Sequence, residues 1–308
     1  MTVDVGTTAP IGGDRATELR TRAAELRSGR QPFVVATVVR AERPTSAKPG
    51  DTALVVADGT IVGFVGGECA EASVRSEALA ALSSGEPVLL KISPTPEPPE
   101  PGMISVHNPC LSGGTLEIFL EPALPAPLLV LHGRAPIASA LAGLAERLGW
   151  AVLMWDGEIP SDADAVVVAS HGRDEHAAIA AAVAAGVPYI GLVASRRRGA
   201  AVLAGLDDAR AIHTPAGLDI GARTPDEVAL SILAEIISVR PRRPPGPPTV
   251  AGPVAATAID PVCGMGVAPV ESSPHVEHLG RQVWFCGSGC RQAFLADPSA
   301  FALPLPPA

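Results

Sequence analysis

Residues 128–136 read LLVLHGRAP: four apolar residues in an unbroken run, then a histidine and a glycine, then a proline. A continuous rather than alternating run marks a strand buried on both faces. A glycine after it allows a tight turn, and Pro136 suits the first turn of a helix. The pattern recurs. Apolar runs at 151–155, 165–169 and 189–193 are also continuous, and helical stretches lie between them, through Leu148 and from Asp174 to Ala185. A closing helix is predicted from Pro225 to Ser238, with Asp226 and Glu227 placed to complement its dipole. Strands and helices in alternation predict a parallel sheet covered on both sides, a Rossmann-like domain over 126–240.

Upstream, over 14–122, the period is different. A helix is expected from Ala16 to Ser28, then strands at 33–39, 52–56 and 61–65, the last two joined through the turn Asp58-Gly59. A helix at 68–82 and strands at 87–92, 103–106 and 115–120 complete a mixed α/β domain. The intervening SPTPEPPEPG, residues 93–102, is expected to hang outside the fold as a mobile loop. Downstream, residues 241–258 form a proline-rich spacer, and 259–303 a unit too small for a large core that holds three of the five cysteines. The fold class expected is therefore α/β: a mixed N-terminal domain, a Rossmann-like parallel-sheet domain, and a small C-terminal module.

The net charge of −9, with lysine only at Lys48 and Lys91, argues against nucleic acid as a partner. No apolar stretch has the roughly 18–20 residues of a membrane span, and the N-terminus lacks a secretory pattern, so a cytoplasmic location is expected. Five cysteines spaced as unevenly as Cys69, Cys110, Cys263, Cys286 and Cys290 imply metal or sulfur chemistry rather than a disulfide framework. Cys69 and Cys110 also have the plainer reading of small core residues.

Three loops of the first domain have binding character. RPTSAKPG at 43–50, with Ser46 among its hydroxyls, is either a turn or a polar binding loop. GGECAE at 66–71 leads from a strand into a helix, so Gly66 and Gly67 expose amides beside Cys69 and Glu71. NPCLSGG at 108–114 repeats the theme with Cys110, Ser112, Gly113 and Gly114. In the second domain only Gly133 survives of a dinucleotide-binding glycine pattern, because Ala135 and Ala138 replace the others, so NAD(P) is disfavoured although Asp156 stands where a ribose ligand would. Arg196 and Arg197, after Ser195, form either a phosphate site or a solvated basic face. His171 follows the third strand, where such sheets place ligands.

RPTSAKPG, GGECAE and CLSGGTLEIFLEP, in that order, resemble the N-terminal domain of the XdhC/CoxI family. YIGLVASRRR at 189–198 and GLDIGARTPDEVALSILAEI at 217–236 extend the resemblance through the second domain. The chain departs from the family's common form at Glu68, often glycine, and at Ser112, often cysteine. The resemblance implies an accessory factor for molybdenum hydroxylases such as xanthine dehydrogenase or carbon monoxide dehydrogenase. Such a factor binds the molybdenum cofactor, supports its sulfuration and delivers it to the apoenzyme rather than turning over a metabolite. It further implies a cysteine desulfurase as sulfur donor, a homodimeric state, and Cys69 and Cys110 as sulfur-relaying or molybdenum-facing thiols.

In the third unit, DPVCGM at 260–265, WFC at 284–286, Cys290, Phe294 and Asp297-Pro298 resemble a YHS domain, a module of metal-handling proteins. Independently, Cys263 and the CxxxC pair Cys286 and Cys290 offer three soft ligands suited to copper(I) or zinc, to be completed by His275, His278 or an external group. Packing of a tiny core is the alternative. An NAD(P)-dependent oxidoreductase on the second domain and a metal sensor or chaperone in the third are the competing functions.

Overall fold

The computed structural model describes residues 13–98, 100–109, 114–204, 212–239 and 257–303. They fall into two compact units, one combining the described residues up to Pro125 with those from 257 onward, the other beginning at Ala126.

The first unit opens with α1 (Gly13–Ser28), β1 (Phe33–Glu42), β2 (Thr52–Val56), β3 (Ile61–Gly63), α2 (Glu68–Ser84), β4 (Val88–Ser93), β5 (Met103–His107) and β6 (Thr115–Ala123). The strands form one sheet in the order β3-β2-β1-β6-β4-β5, antiparallel except for β4 beside β5. Alternation sorts the side chains. Val34, Ala36 and Val38 of β1 face α2 with Val74, Ala78 and Ala81, whereas Phe33 faces α1 with Ala23 and Leu26. The register of β1 against β6 slips between Val38 and Arg40, a bulge that bends the end of β1 where the 43–50 loop departs.

The proline-rich connection from β4 to β5 is held to the sheet rather than hanging free. Lys91 on β4 pairs with Glu97 and Glu100, and His107 Nε2 meets the Pro94 carbonyl at 3.2 Å. A parallel neighbour needs a crossover, and this segment supplies it without a helix.

The C-terminal module contains β12 (Ala258–Ile259), β13 (Gly266–Val267), β14 (His275–His278), β15 (Arg281–Trp284) and α7 (Ser288–Ala296). Its strands make two small hairpins, and Phe285 and Phe294 fill a core of their own. It packs on the N-terminal part. Ser272 Oγ donates to the Asp58 carbonyl at 3.2 Å, and Val267 and Met265 share an apolar cluster with Ala72 of α2.

The second unit runs β7 (Leu128–His132), α3 (Pro136–Arg147), β8 (Ala151–Met154), β9 (Ala165–Val168), α4 (Glu175–Ala184), β10 (Tyr189–Leu192), α5 (Arg196–Leu203), β11 (Ile212–His213) and α6 (Pro225–Val239). All its strands are parallel, in the order β11-β10-β9-β7-β8. Leu129 and Leu131 face the core of α3 and α6, while Leu128 and Val130 face that of α4 and α5. The unbroken apolar run is thus two alternating patterns, one for each buried face. Among the described residues, no helix is long and apolar enough to cross a membrane.

Candidate functional site

Glu42 at the end of β1 pairs with Thr115 at the start of β6, so the 43–50 loop and Gly114 leave the sheet side by side. Gly114 is pressed against that loop. A Cβ there would stand 2.3 Å from the Glu42 carbonyl oxygen and 2.4 Å from that of Pro44, which no side chain could tolerate. Gly66, at φ 138°, would place a Cβ 3.2 Å from Leu116 Cδ1, bringing the 66–71 loop to the same end of the sheet. Ala47 is buried in the core while neighbouring Ser46 is exposed, as is Gly67. Cys110, Ser112 and Gly113 lie outside the described residues.

Helix α2 begins at this end, and its first turn carries carboxylates of its own, Glu68 and Glu71. The field of the helix terminus, expected to serve an external anion, is therefore partly answered within the chain. Burial pushes the Glu71 carboxyl up, Arg75 opposes this and Glu68 adds to it. Glu68 Oε2 accepts from the Ser288 amide at 2.6 Å and from its hydroxyl at 2.7 Å, so it caps α7 of the C-terminal module.

Beside that cap the thiols gather. Cys263 Sγ lies 3.6 Å from Cys286 Sγ, which lies 3.6 Å from Cys290 Sγ. These three sulfurs and a carboxylate oxygen of Asp260 are all within 4.8 Å of one another. Asp260 is fully buried and accepts from the Val262 amide at 2.9 Å and the Cys286 amide at 2.8 Å, which fixes the turn bearing Cys263 against the strand end bearing Cys286. Cys69, in the first turn of α2, packs against the same apolar cluster as these cysteines. The bond from Cys286 and the Met265 amide hold the Cys263 thiol below its ordinary value against the effect of burial. Cys286 is driven upward by its bonds with Cys263 and Cys69 and by burial, and Cys290 is pushed up to about 12 by burial and the Asp260 charge. A soft cation would favour the thiolate form of all three.

His275 and His278, expected to complete such a site, are engaged elsewhere. His275 Nδ1 meets the Ser273 carbonyl at 2.9 Å and its ring lies against Trp284, while His278 stands edge-on to Phe294.

The second unit has a cavity of about 1070 Å³ at the carboxyl ends of β9, β10 and β11, lined among others by His171, Ser195, Arg196, Thr214, Gly217 and Asp219. The expected His171 and Arg196 meet there; Arg197 and Gly133 are not among the described lining residues. Gly133 has a different reason to be glycine, since a Cβ would stand 2.2 Å from the Ala169 carbonyl oxygen. Beside it, the Arg173 carbonyl accepts from Ser170 Oγ at 2.6 Å and lies 2.8 Å from His132 Nε2, tying the loop after β9 to the end of β7. Arg198 lines the cavity too, with its guanidinium bonded to Glu175 at 2.7 Å and to the Val193 carbonyl at 2.8 Å, so of the arginine triplet Arg196 and Arg198 reach it.

Residues 26–93 match the model of the XdhC and CoxI family, and residues 129–236 match that of the XdhC Rossmann domain. The chain belongs to the XdhC/CoxI family. It is 29% identical to the protein YqeB of Escherichia coli K12, over 73% of this chain and 47% of that one. It is 30% identical to a probable xanthine dehydrogenase subunit of Bacillus subtilis 168, over 42% of this chain and 47% of that one. It is 25% identical to the molybdenum cofactor insertion chaperone PaoD of E. coli K12, over 74% and 89%. The chain spans about half the length of the first two relatives. A solved structure described as a xanthine dehydrogenase from Bacillus halodurans covers 73% of this chain at 17% identity, with a TM-score of 0.36.

In this XdhC/CoxI chain Gly114 and the 43–50 and 66–71 loops come together at one sheet end, and the three C-terminal cysteines converge as one cluster. Sequence reasoning missed that Cys69 belongs to both places, and that Asp260 braces the cluster. The Asp-Pro-Val-Cys spacing is a usable signal for Asp260. Nothing local signals Cys69.

Proposed function

We propose that the chain is a maturation factor for a molybdenum hydroxylase, receiving the molybdenum cofactor as cargo on the loops at the end of the six-stranded sheet. The observation that carries this is the wedge of Gly114 against Glu42 and Pro44, which joins two loops that are far apart in sequence into one surface beside Gly66 and Gly67. Family membership, and a relative described as a molybdenum cofactor insertion chaperone, support the reading. Ser46, Gly67 and the amides around them offer polar contacts, and Cys69 or Cys110 faces the molybdenum or relays sulfur from a cysteine desulfurase. Delivery goes to an apo molybdenum hydroxylase, and the factor acts as a homodimer. In the second unit, Arg196 and the amides opening α5 supply an anion-binding end suited to a phosphate. The C-terminal module, YHS-like in its motifs, holds a soft ion, copper(I) or zinc, through Cys263, Cys286 and Cys290.

The test is anaerobic incubation of isolated molybdenum cofactor with the full chain and with Cys69→Ala and Cys110→Ala, followed by ultrafiltration and molybdenum quantification. Stoichiometric retention that falls at least tenfold in one variant is the expected outcome. No retention by any of the three, with NAD(P) bound instead, would replace this reading with an oxidoreductase.

A further inference from the structure

Asp260 is wholly buried, and the hydrogen-bond partners of its side chain among the described residues are two neutral amides, those of Val262 and Cys286. A buried carboxylate is ordinarily paired with a cation or bound to a metal, because the protein interior penalises an uncompensated charge. Among the described residues, no lysine, arginine or histidine forms an ion pair with this one. What it faces instead is sulfur: one of its oxygens and the Sγ atoms of Cys263, Cys286 and Cys290 all lie within 4.8 Å of one another. The two amides do not use the carboxylate up, since its oxygens offer about four lone-pair sites. Metal-bound carboxylates are ordinarily hydrogen-bonded in this way, because the donors fix where the oxygen points.

The dimensions fit a four-coordinate ion. With zinc–sulfur bonds of about 2.3 Å and a zinc–oxygen bond of about 2.0 Å, tetrahedral ligands stand about 3.8 Å apart from sulfur to sulfur and about 3.5 Å from sulfur to oxygen. Here Cys286 Sγ lies 3.6 Å from the sulfurs of Cys263 and of Cys290, and no separation within the group of four exceeds 4.8 Å. Closing on an ion therefore needs movements of about 1 Å at most. The backbone already holds the four together. Asp260 and Cys263 share one tight turn, closed by Gly264, at φ 78°, donating its amide to the Asp260 carbonyl at 2.8 Å. Cys286 is tied to Asp260 through its own amide, and Cys290 follows in the first turn of α7. Cys286 is buried while Cys263 and Cys290 are half-buried, which gives an ion a side from which to enter.

We propose that Asp260 is the fourth ligand of a zinc site completed by Cys263, Cys286 and Cys290, and that its oxygen favours zinc over copper(I). This rests on the reading of the three cysteines as a metal site, and decides between the two ions which that reading allows. Zinc is borderline in softness and takes thiolate and carboxylate together, whereas copper(I) is satisfied by thiolates and gains little from a carboxylate oxygen. A divalent ion also offsets more of the negative charge that three thiolates and a carboxylate bring into a buried site. On binding, bonds form from zinc to sulfur and oxygen, the thiol protons leave to solvent, and no electron moves. Four protein ligands close the coordination shell, as in zinc sites that hold a fold together, so the ion's work is to keep the module's shape.

The experiment measures zinc(II) and copper(I) affinity, by competition with chelators, on the full, reduced, metal-free chain as wild type, Asp260→Asn and Cys286→Ser. Wild type is expected to bind one equivalent of zinc, and Cys286→Ser to bind both ions more weakly. Asp260→Asn should weaken zinc by at least about a hundredfold, the upper end of what an outer-shell partner contributes, and leave copper(I) within about threefold of wild type. An equal fall for both ions, in a variant whose circular dichroism matches wild type, would leave Asp260 as a brace alone and overturn the proposal. Unchanged zinc affinity would do the same, as would a wild type that binds copper(I) and no zinc, which leaves the three-cysteine reading standing. Neither ion bound by wild type would end both. A second measurement needs no variant: with aspartate carboxyl groups labelled with carbon-13, zinc should shift an aspartate carboxylate stretch in the infrared difference spectrum of wild type. Aspartate bands unmoved by one bound equivalent of zinc would overturn the proposal however the variants fold.

Discussion

Glu235 accepts from the Tyr189 hydroxyl at 2.6 Å and from the Gly217 amide at 2.7 Å, and meets His213 Nδ1 at 3.1 Å. It thereby ties α6 to β10 and to the Gly217 wall of the cavity. Burial pushes its carboxyl up, but the bonds from Tyr189, Gly217 and His213 together hold it below the ordinary 4.5. Because the folded-state pKa is the lower one, this stabilisation is fully present above about 4.5 and is lost as pH falls through the depressed value. Glu235→Gln should cost about 2–3 kcal/mol at pH 7. Its melting temperature should also fall less steeply than that of wild type between about pH 5 and 3, and melts across that range check both. The run SILAEII shows an acid in a helix, but not that three donors from other elements converge on it. The arginine triplet is similar: adjacent in sequence and chemically identical, Arg196 and Arg198 line a cavity, Arg198 bonded there to Glu175, while Arg197 is not among its described lining residues, because a helix turns neighbours to different sides.

Helix α7 begins after Gly287, which has no side chain to cap it. The cap comes from Glu68, 220 residues away, whose carboxylate also sits in the favourable field of the helix terminus. Glu68→Ala should loosen α7 by about 1 kcal/mol, seen as roughly fivefold faster amide exchange over residues 288–296 with β1 and β6 unaffected. Equal exchange in the two proteins would mean that Ser288 finds water instead. Element existence was largely legible, because periodicity and turn residues are local. Helix α2 and the hairpin through Asp58-Gly59 lie close to their expected places. The proline-rich crossover was not, since its composition signals no ladder but cannot show that Lys91 waits on β4 to receive Glu97.

Across the whole molecule, the N-terminal part and the C-terminal module meet at a second point, the hairpin turn. Gly59 sits at φ 81°, and a Cβ there would lie 2.7 Å from Val270 Cγ2 and 2.8 Å from Ser272 Oγ, above Arg75, which donates Nε to the Gly59 carbonyl at 2.8 Å. Gly59→Ala should destabilise the chain by about 2 kcal/mol, part from backbone strain and part from the clash. Val270→Ala should restore about 1 kcal/mol of it, a coupling read from a double-mutant cycle in denaturant. Strict additivity would show that the turn and the module do not touch in solution. The sequence alone determined two α/β bodies, a small cysteine-bearing module and the family they belong to, because apolar periodicity, glycine turns and short motifs act over a few residues. Only the tertiary structure decided that the module seats on α2 and that Cys69 packs against the cluster of the C-terminal cysteines, since such contacts depend on how whole faces fit together, and a lone cysteine carries no mark of its distant neighbours.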